Sequence, residues 1–240
     1  MWDVGMVNRA RILAALLLLA CGCEKYTTSG SGQSTLHKRV LYDFRVIHPP
    51  PTANRWSEAQ GRALFAWRKS NRASCLSEPV SYVHSIEGSL IGPDKKEVGY
   101  LMSGGCLSQV AGTNALVVFD GDNLIDVYPV RADQLLLAAD VDADGTDEIV
   151  TDEIGIGSGI TRVSASLIRL EGNKLRLIEE FGVGREDTCG SQVVPRAITA
   201  AVIYYLPPST TEKVHFSAEV YRAECPKESS APVFTRVEGK

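Results

Sequence analysis

Shifted against itself by 51 positions, this chain meets a second copy of part of its own pattern. With Glu97-Val98 placed on Glu148-Ile149, Leu116-Val117-Val118-Phe119 falls on Leu167-Ile168-Arg169-Leu170. The next stretch follows suit, Asp120-Gly121-Asp122-Asn123-Leu124 falling on Glu171-Gly172-Asn173-Lys174-Leu175. Each copy reads as strand, glycine-containing hairpin, strand, because short apolar runs bounded by Gly, Asn and Asp favour tight antiparallel turns. A period near fifty is the size of one propeller blade, a unit that buries its apolar face only against a neighbour. A looser third match places 200–205 and 216–221 on the corresponding strands. Three units do not close a ring, since propellers use four to eight blades. The expected fold is mainly β, with antiparallel propeller-blade-like repeats arranged as an incomplete propeller or a sandwich.

One segment departs from the β pattern. Over 56–69, Trp56, Ala59, Ala63, Leu64 and Trp67 share a helical face with charges opposite, which predicts one N-terminal amphipathic helix. Ser57 and Gln60 have the spacing of a capping box. The two tryptophans at this spacing read as core rather than as a ligand-stacking surface. Before the helix, 40–47 alternates as a strand, and His48 with the prolines at 49–51 ends it. Residues 36–84 thus form a strand-helix segment, and 85–240 form the β repeat domain.

The second copy carries chemistry that the first lacks. Asp140-Val-Asp142-Ala-Asp144-Gly145-Thr146-Asp147-Glu148 sets carboxylates at alternate positions, then a glycine, then an acid at the ninth position. Calcium takes six to eight oxygen ligands in irregular geometry, so a short acidic loop suits it. Asp140, Asp142 and Asp144 offer side-chain oxygens, Thr146 its carbonyl and Glu148 the closing carboxylate. Gly145 permits the positive-φ turn between them. An EF-hand requires flanking helices and a bidentate Glu at position twelve, where this chain has Thr151. Strand, Asp-x-Asp-x-Asp-Gly-x-x-acid, strand instead resembles the FG-GAP/VCBS repeat of integrin α-chain propellers and bacterial surface proteins. The resemblance is strong over 137–150 and extends to about 182; it implies a blade scaffold with a structural Ca2+. In the first copy the corresponding positions are Ser89, Ile91, Pro93, Lys95 and Glu97, which lack the carboxylate set.

The N-terminus resembles a bacterial lipoprotein signal. Arg9 and Arg11 precede an apolar stretch over 12–20 that is too short for a stable bilayer span, and Leu18-Leu19-Ala20-Cys21 matches a lipobox. Residues 1–20 then form a signal peptide and 21–35 a polar, Gly/Ser-rich tether. Cys21 is the expected lipid acceptor, with Cys23 the alternative. Leucine three positions before favours Cys21, while cysteine parity favours Cys23. Cys75, Cys106, Cys189 and Cys225 remain as disulfide candidates outside the cytoplasm, with nearest neighbours paired as Cys75–Cys106 and Cys189–Cys225. No Cys-x-x-Cys spacing supports zinc.

A net charge of −4 and a pI near 5.6 leave no basic footprint for nucleic acid. No catalytic constellation stands out. The Gly155-Ile-Gly157-Ser158-Gly159 run fits neither a nucleophile elbow nor a phosphate loop, and the four histidines are dispersed. The sequence therefore predicts a membrane-anchored, non-catalytic calcium-binding lipoprotein of the bacterial envelope, periplasmic or surface-exposed. Its blade loops would contact a protein or glycan partner. The alternative is a periplasmic hydrolase or envelope-maturation enzyme with a structural calcium.

Overall fold

The computed structural model describes residues 37–47, 55–71, 79–104, 107, 114–209, 212–227 and 230–238. The signal, the tether, both lipid-acceptor candidates, Cys75 and Cys106 lie outside the described residues. What is described is mainly β, antiparallel throughout, with a single helix. Chain order runs β1 (Arg39–Asp43), α1 (Glu58–Asn71), β2 (Val80–Gly88), β3 (Glu97–Gly104), β4 (Asn114–Asp120) and β5 (Asn123–Val130). It continues through β6 (Gln134–Ala139), β7 (Glu148–Gly157), β8 (Ile160–Glu171), β9 (Lys174–Asp187), β10 (Ile198–Leu206), β11 (His215–Ala223) and β12 (Thr235–Arg236).

Strands β2 to β5 form a four-stranded meander. Strands β6 to β9 repeat that meander, but their sheet goes on through β10, β11 and β12, with β1 also paired to β10. The repeat is visible in the element ends. Gly88 and Ala139 close the first strand of each copy, Glu97 and Glu148 open the second, and Asp120 and Glu171 close the third. The looser third match differs in outcome. Strands β10 and β11 extend the second sheet rather than build a separate unit, because the far end of β9, Arg185–Asp187, pairs with Ile198–Ala200. Strand β9 has the length to do this. Val130, the last residue of β5, corresponds to Phe181, and β9 runs on to Asp187. Register shifts along the β8–β9 ladder bend this stretch, as bulges do, and the sheet curls into a half-barrel.

Alternation sorts the core into layers. In β4, Ala115, Val117 and Phe119 face α1, joining Leu64, Tyr100 and Met102, with Trp56 and Trp67 packed against them. Leu116 and Val118 point the other way, toward Leu135, Ile149, Ile168 and Leu170 of the second sheet. A strand apolar on both faces is what a sheet covered on both sides requires. The helix begins as its cap residues dictate, Ser57 Oγ accepting from the Gln60 N–H at 3.0 Å and Gln60 Oε1 from the Ser57 N–H at 2.9 Å. Both tryptophans are partly buried and pack against this core cluster. On the opposite, concave side of the curled sheet, Leu41 and Phe44 pack with Val150, Ala165, Leu167 and Ile203.

Phe44 just follows β1 and lies flat against β9 at Gly184. A Cβ built there would meet the ring at 2.7 Å, a separation that real Cβ contacts do not reach. Gly184→Ala is therefore expected to lift the aromatic from its seat and destabilise the fold by about 1–3 kcal/mol, the usual range for overpacking. Urea denaturation checks it, and an unchanged midpoint would mean that the strap after β1 yields freely.

Candidate metal centre in the second repeat loop

The loop between β6 and β7 is held from below by its own last residue. Glu148 is 1% exposed, and its Oε2 accepts the Val141 N–H at 3.0 Å. The first repeat does the same with Glu97, fully buried, accepting the Leu90 N–H at 2.8 Å. The ninth-position glutamate is thus a backbone hook in both copies, independent of any ion. The positive-φ turn is duplicated too. Asp94 has φ 60° where the second copy has Gly145 at φ 88°, a conformation that glycine adopts at no steric cost. The two loops touch: the Asp147 N–H donates to the Ser89 carbonyl at 2.8 Å, and the Ser89 N–H donates to Asp147 Oδ2 at 2.8 Å. Asp147, which spacing leaves out of the expected ligand set, clasps one repeat to the other.

Above the hook the acids converge. Carboxylate oxygens of Asp140, Asp142 and Glu148 lie within 4.8 Å of one another, a grouping that can hold a metal ion. Asp140 is pre-set by the loop backbone, Oδ1 accepting from the Asp144 N–H at 3.1 Å and Oδ2 from the Gly145 N–H at 3.0 Å. Asp142 Oδ1 is buried and has no hydrogen-bond partner among the described residues. Of the other two expected ligands, Asp144 stands apart from the triad. Its Oδ1 accepts the Thr146 N–H at 2.8 Å and its Oδ2 pairs with Arg169 at 3.1 Å. Cys189 and Cys225, expected as a pair, form a disulfide that ties the end of β9 to the segment after β11.

No family model matches this chain, and neither does any curated protein or solved structure.

Arg169, which the sequence analysis did not single out, is central to it. Its guanidinium reaches from β8 into the acidic loop, with Nε 2.6 Å from Glu148 Oε1 and Nη2 2.5 Å from Asp142 Oδ2. Nη2 also meets Glu148 Oε1. Burial by itself would make Arg169 easier to deprotonate, but its bonds to Glu148 and Asp142 outweigh that and hold its pKa above the ordinary value. Burial pushes the Glu148 carboxyl up, against the pull of the Val141 N–H and Arg169. The two partners shift in the same direction because Glu148 is the more deeply buried and loses more water. We take the arginine as the fixed charge of the pair. A signal for it was present in the repeat, since Arg169 replaces Val118 within the otherwise apolar run Leu167–Leu170.

The donor set itself suits a hard cation. It is all carboxylate oxygen, with no nitrogen or sulfur, which favours calcium or magnesium over zinc or copper. Three acids exceed the single charge that Arg169 returns, so the cluster keeps a net negative field.

Proposed function

We propose that the chain is an exported, lipid-anchored, non-catalytic module of FG-GAP/VCBS type, whose Asp140–Glu148 loop holds calcium and so stiffens a surface for a protein or glycan partner. The observation that carries this reading is the convergence of the Asp140, Asp142 and Glu148 oxygens within 4.8 Å, on a loop whose backbone already turns inward. Anchoring rests on the lipobox-like segment ending at Cys21, and export also agrees with the Cys189–Cys225 disulfide. Asp144 and Thr146 would complete the shell, to which calcium's tolerance of irregular geometry is suited.

Arg169 favours a second reading, in which the arginine is the loop's own cation and the site takes no metal. One experiment separates the two. The thermal midpoint of the full-length chain is measured in EDTA, calcium and magnesium, for wild type, Asp142→Ala and Arg169→Leu. Calcium binding predicts a saturable, calcium-selective rise in wild type, worth about 2.7 kcal/mol at a hundredfold excess over Kd, and its loss in Asp142→Ala. A cation competes with Arg169 for Asp142 and Glu148, so Arg169→Leu should bind calcium at least roughly tenfold more tightly, as close charge pairs are worth more than 1.4 kcal/mol. A wild type that ignores calcium beside a responsive Arg169→Leu would establish the arginine as occupant. Silence in both would remove the metal site.

A further inference from the structure

The concave side of the curled sheet holds a cavity of about 360 Å³ that is separate from the acidic loop. Its floor and walls come from alternate residues of adjacent strands, so they share one face: Leu136 of β6, Asp152 and Ile154 of β7, Val163 of β8 and Arg185 of β9. Tyr42 and Phe44 close it from above, with ring centroids 4.7 Å apart. The volume is at the small end for ligand sites, and the mix of an apolar wall with a few polar groups is typical of them.

Asp152 is the group that this lining does not explain. It is 5% exposed and its Oδ1 has no hydrogen-bond partner among the described residues. The Gln134 N–H donates to the carboxylate yet leaves Oδ1 unserved; a buried carboxylate oxygen without a partner is costly, and one retained on a cavity wall implies a partner that comes from outside. The cation within the lining does not pair with Oδ1. Arg185 Nη1 instead donates to the Phe44 carbonyl at 3.1 Å and the Arg45 carbonyl at 3.4 Å, holding the strap after β1 in place. Burial first, and then the negative potential of Asp133 on the β5–β6 connection, push the Asp152 carboxyl up to about 7. At the mouth, Val46 and Ile47 are exposed apolar side chains that a bound molecule's hydrocarbon would cover.

The geometry points to a binding site for a small amphiphilic amine, its ammonium paired with Asp152 Oδ1 and its hydrocarbon body against Tyr42, Phe44, Leu136 and Val163. The charge required is positive because the unpartnered oxygen belongs to a carboxylate with a second carboxylate nearby. The aromatic rings of Tyr42 and Phe44 add attraction for an ammonium over their faces.

The test uses the full-length chain at pH 8, where aliphatic amines remain protonated and Asp152 is ionised. Titration calorimetry compares 2-phenylethylamine with its neutral counterpart 2-phenylethanol, in wild type and in Asp152→Asn. Saturable binding of the amine is expected, at least roughly tenfold tighter than the alcohol, in line with hydrogen bonds to charged groups. In Asp152→Asn that preference should vanish while the alcohol still binds. Equal affinity for amine and alcohol in wild type overturns the proposal, as does no saturable amine binding at millimolar concentration. A folded Asp152→Asn that keeps the preference overturns it too. The wild-type comparison needs no variant, so it decides the matter even where Asp152→Asn fails to fold.

Discussion

Glu148→Ala should unfold this domain at a markedly lower temperature, at a cost of about 3–5 kcal/mol, the range for stripping one partner from a buried ion pair. The substitution leaves the Val141 N–H without its acceptor and Arg169 without its nearest carboxylate. At a midpoint shift of about 2–4 °C per kcal/mol for a domain of this size, the loss should be on the order of 10 °C. Glu97→Ala is the internal control. It removes the same kind of hook, at Leu90, from a loop that has Val118 where the second repeat has Arg169. Its cost should stay near about 1–3 kcal/mol, the price of one unsatisfied buried donor. Equal losses in the two variants would mean that the hook carries everything and that the Arg169 pair adds nothing to stability.

The second large effect runs in the stabilising direction. In the folded chain the Asp152 carboxyl is pushed up to about 7, by burial first and by Asp133 second, against an ordinary value of 3.8. The folded state therefore holds this proton more firmly than the unfolded state does. Its contribution is fully present below the unfolded value and is lost as pH rises through about 7. The interval corresponds to about 4 kcal/mol. Asp152→Asn, neutral at every pH, should match the wild-type midpoint near pH 4 and exceed it by about 10 °C at pH 8. Parallel curves for the two proteins between those limits would show that Asp152 titrates as an ordinary surface acid.

Much of this architecture was legible from the 51-residue shift. The hairpin turns at Gly121 and Gly172, the strand ends around them and the paired glutamates at 97 and 148 all fall where the alignment puts them. Local turn chemistry and an alternating apolar pattern fix these features, and both are properties of adjacent residues. The joining of β10 to β9 was not legible in the same way. It depends on how far β9 outruns its hairpin partner and how the bulged ladder bends, and neither is written in composition. The acidic loop could be found from spacing, but its division of labour could not. Asp147 turns to Ser89 and Asp144 to Arg169 because of what lies across from them in other strands. Asp152 was hidden for a simpler reason. It sits beside Glu153 in sequence, and only the sheet register decides that the first faces inward and the second faces water.

The pairing of β1 with β10 also sets an order of events. Arg39 meets Tyr205 and Asp43 meets Val202, so one of the first strands of the domain has its partner far along the chain. Contacts of such sequence separation carry a large loop-closure cost and slow folding. While the chain emerges N-terminus first, the four-stranded meander has all its own partners by Val130, yet β1 stays unpaired until residue 206 is free. Throughout that interval the concave face is uncovered and Phe44 is off Gly184. The nascent chain thus carries an open sheet face from the start of the second sheet until β10 emerges, and β10 brings the first strand home.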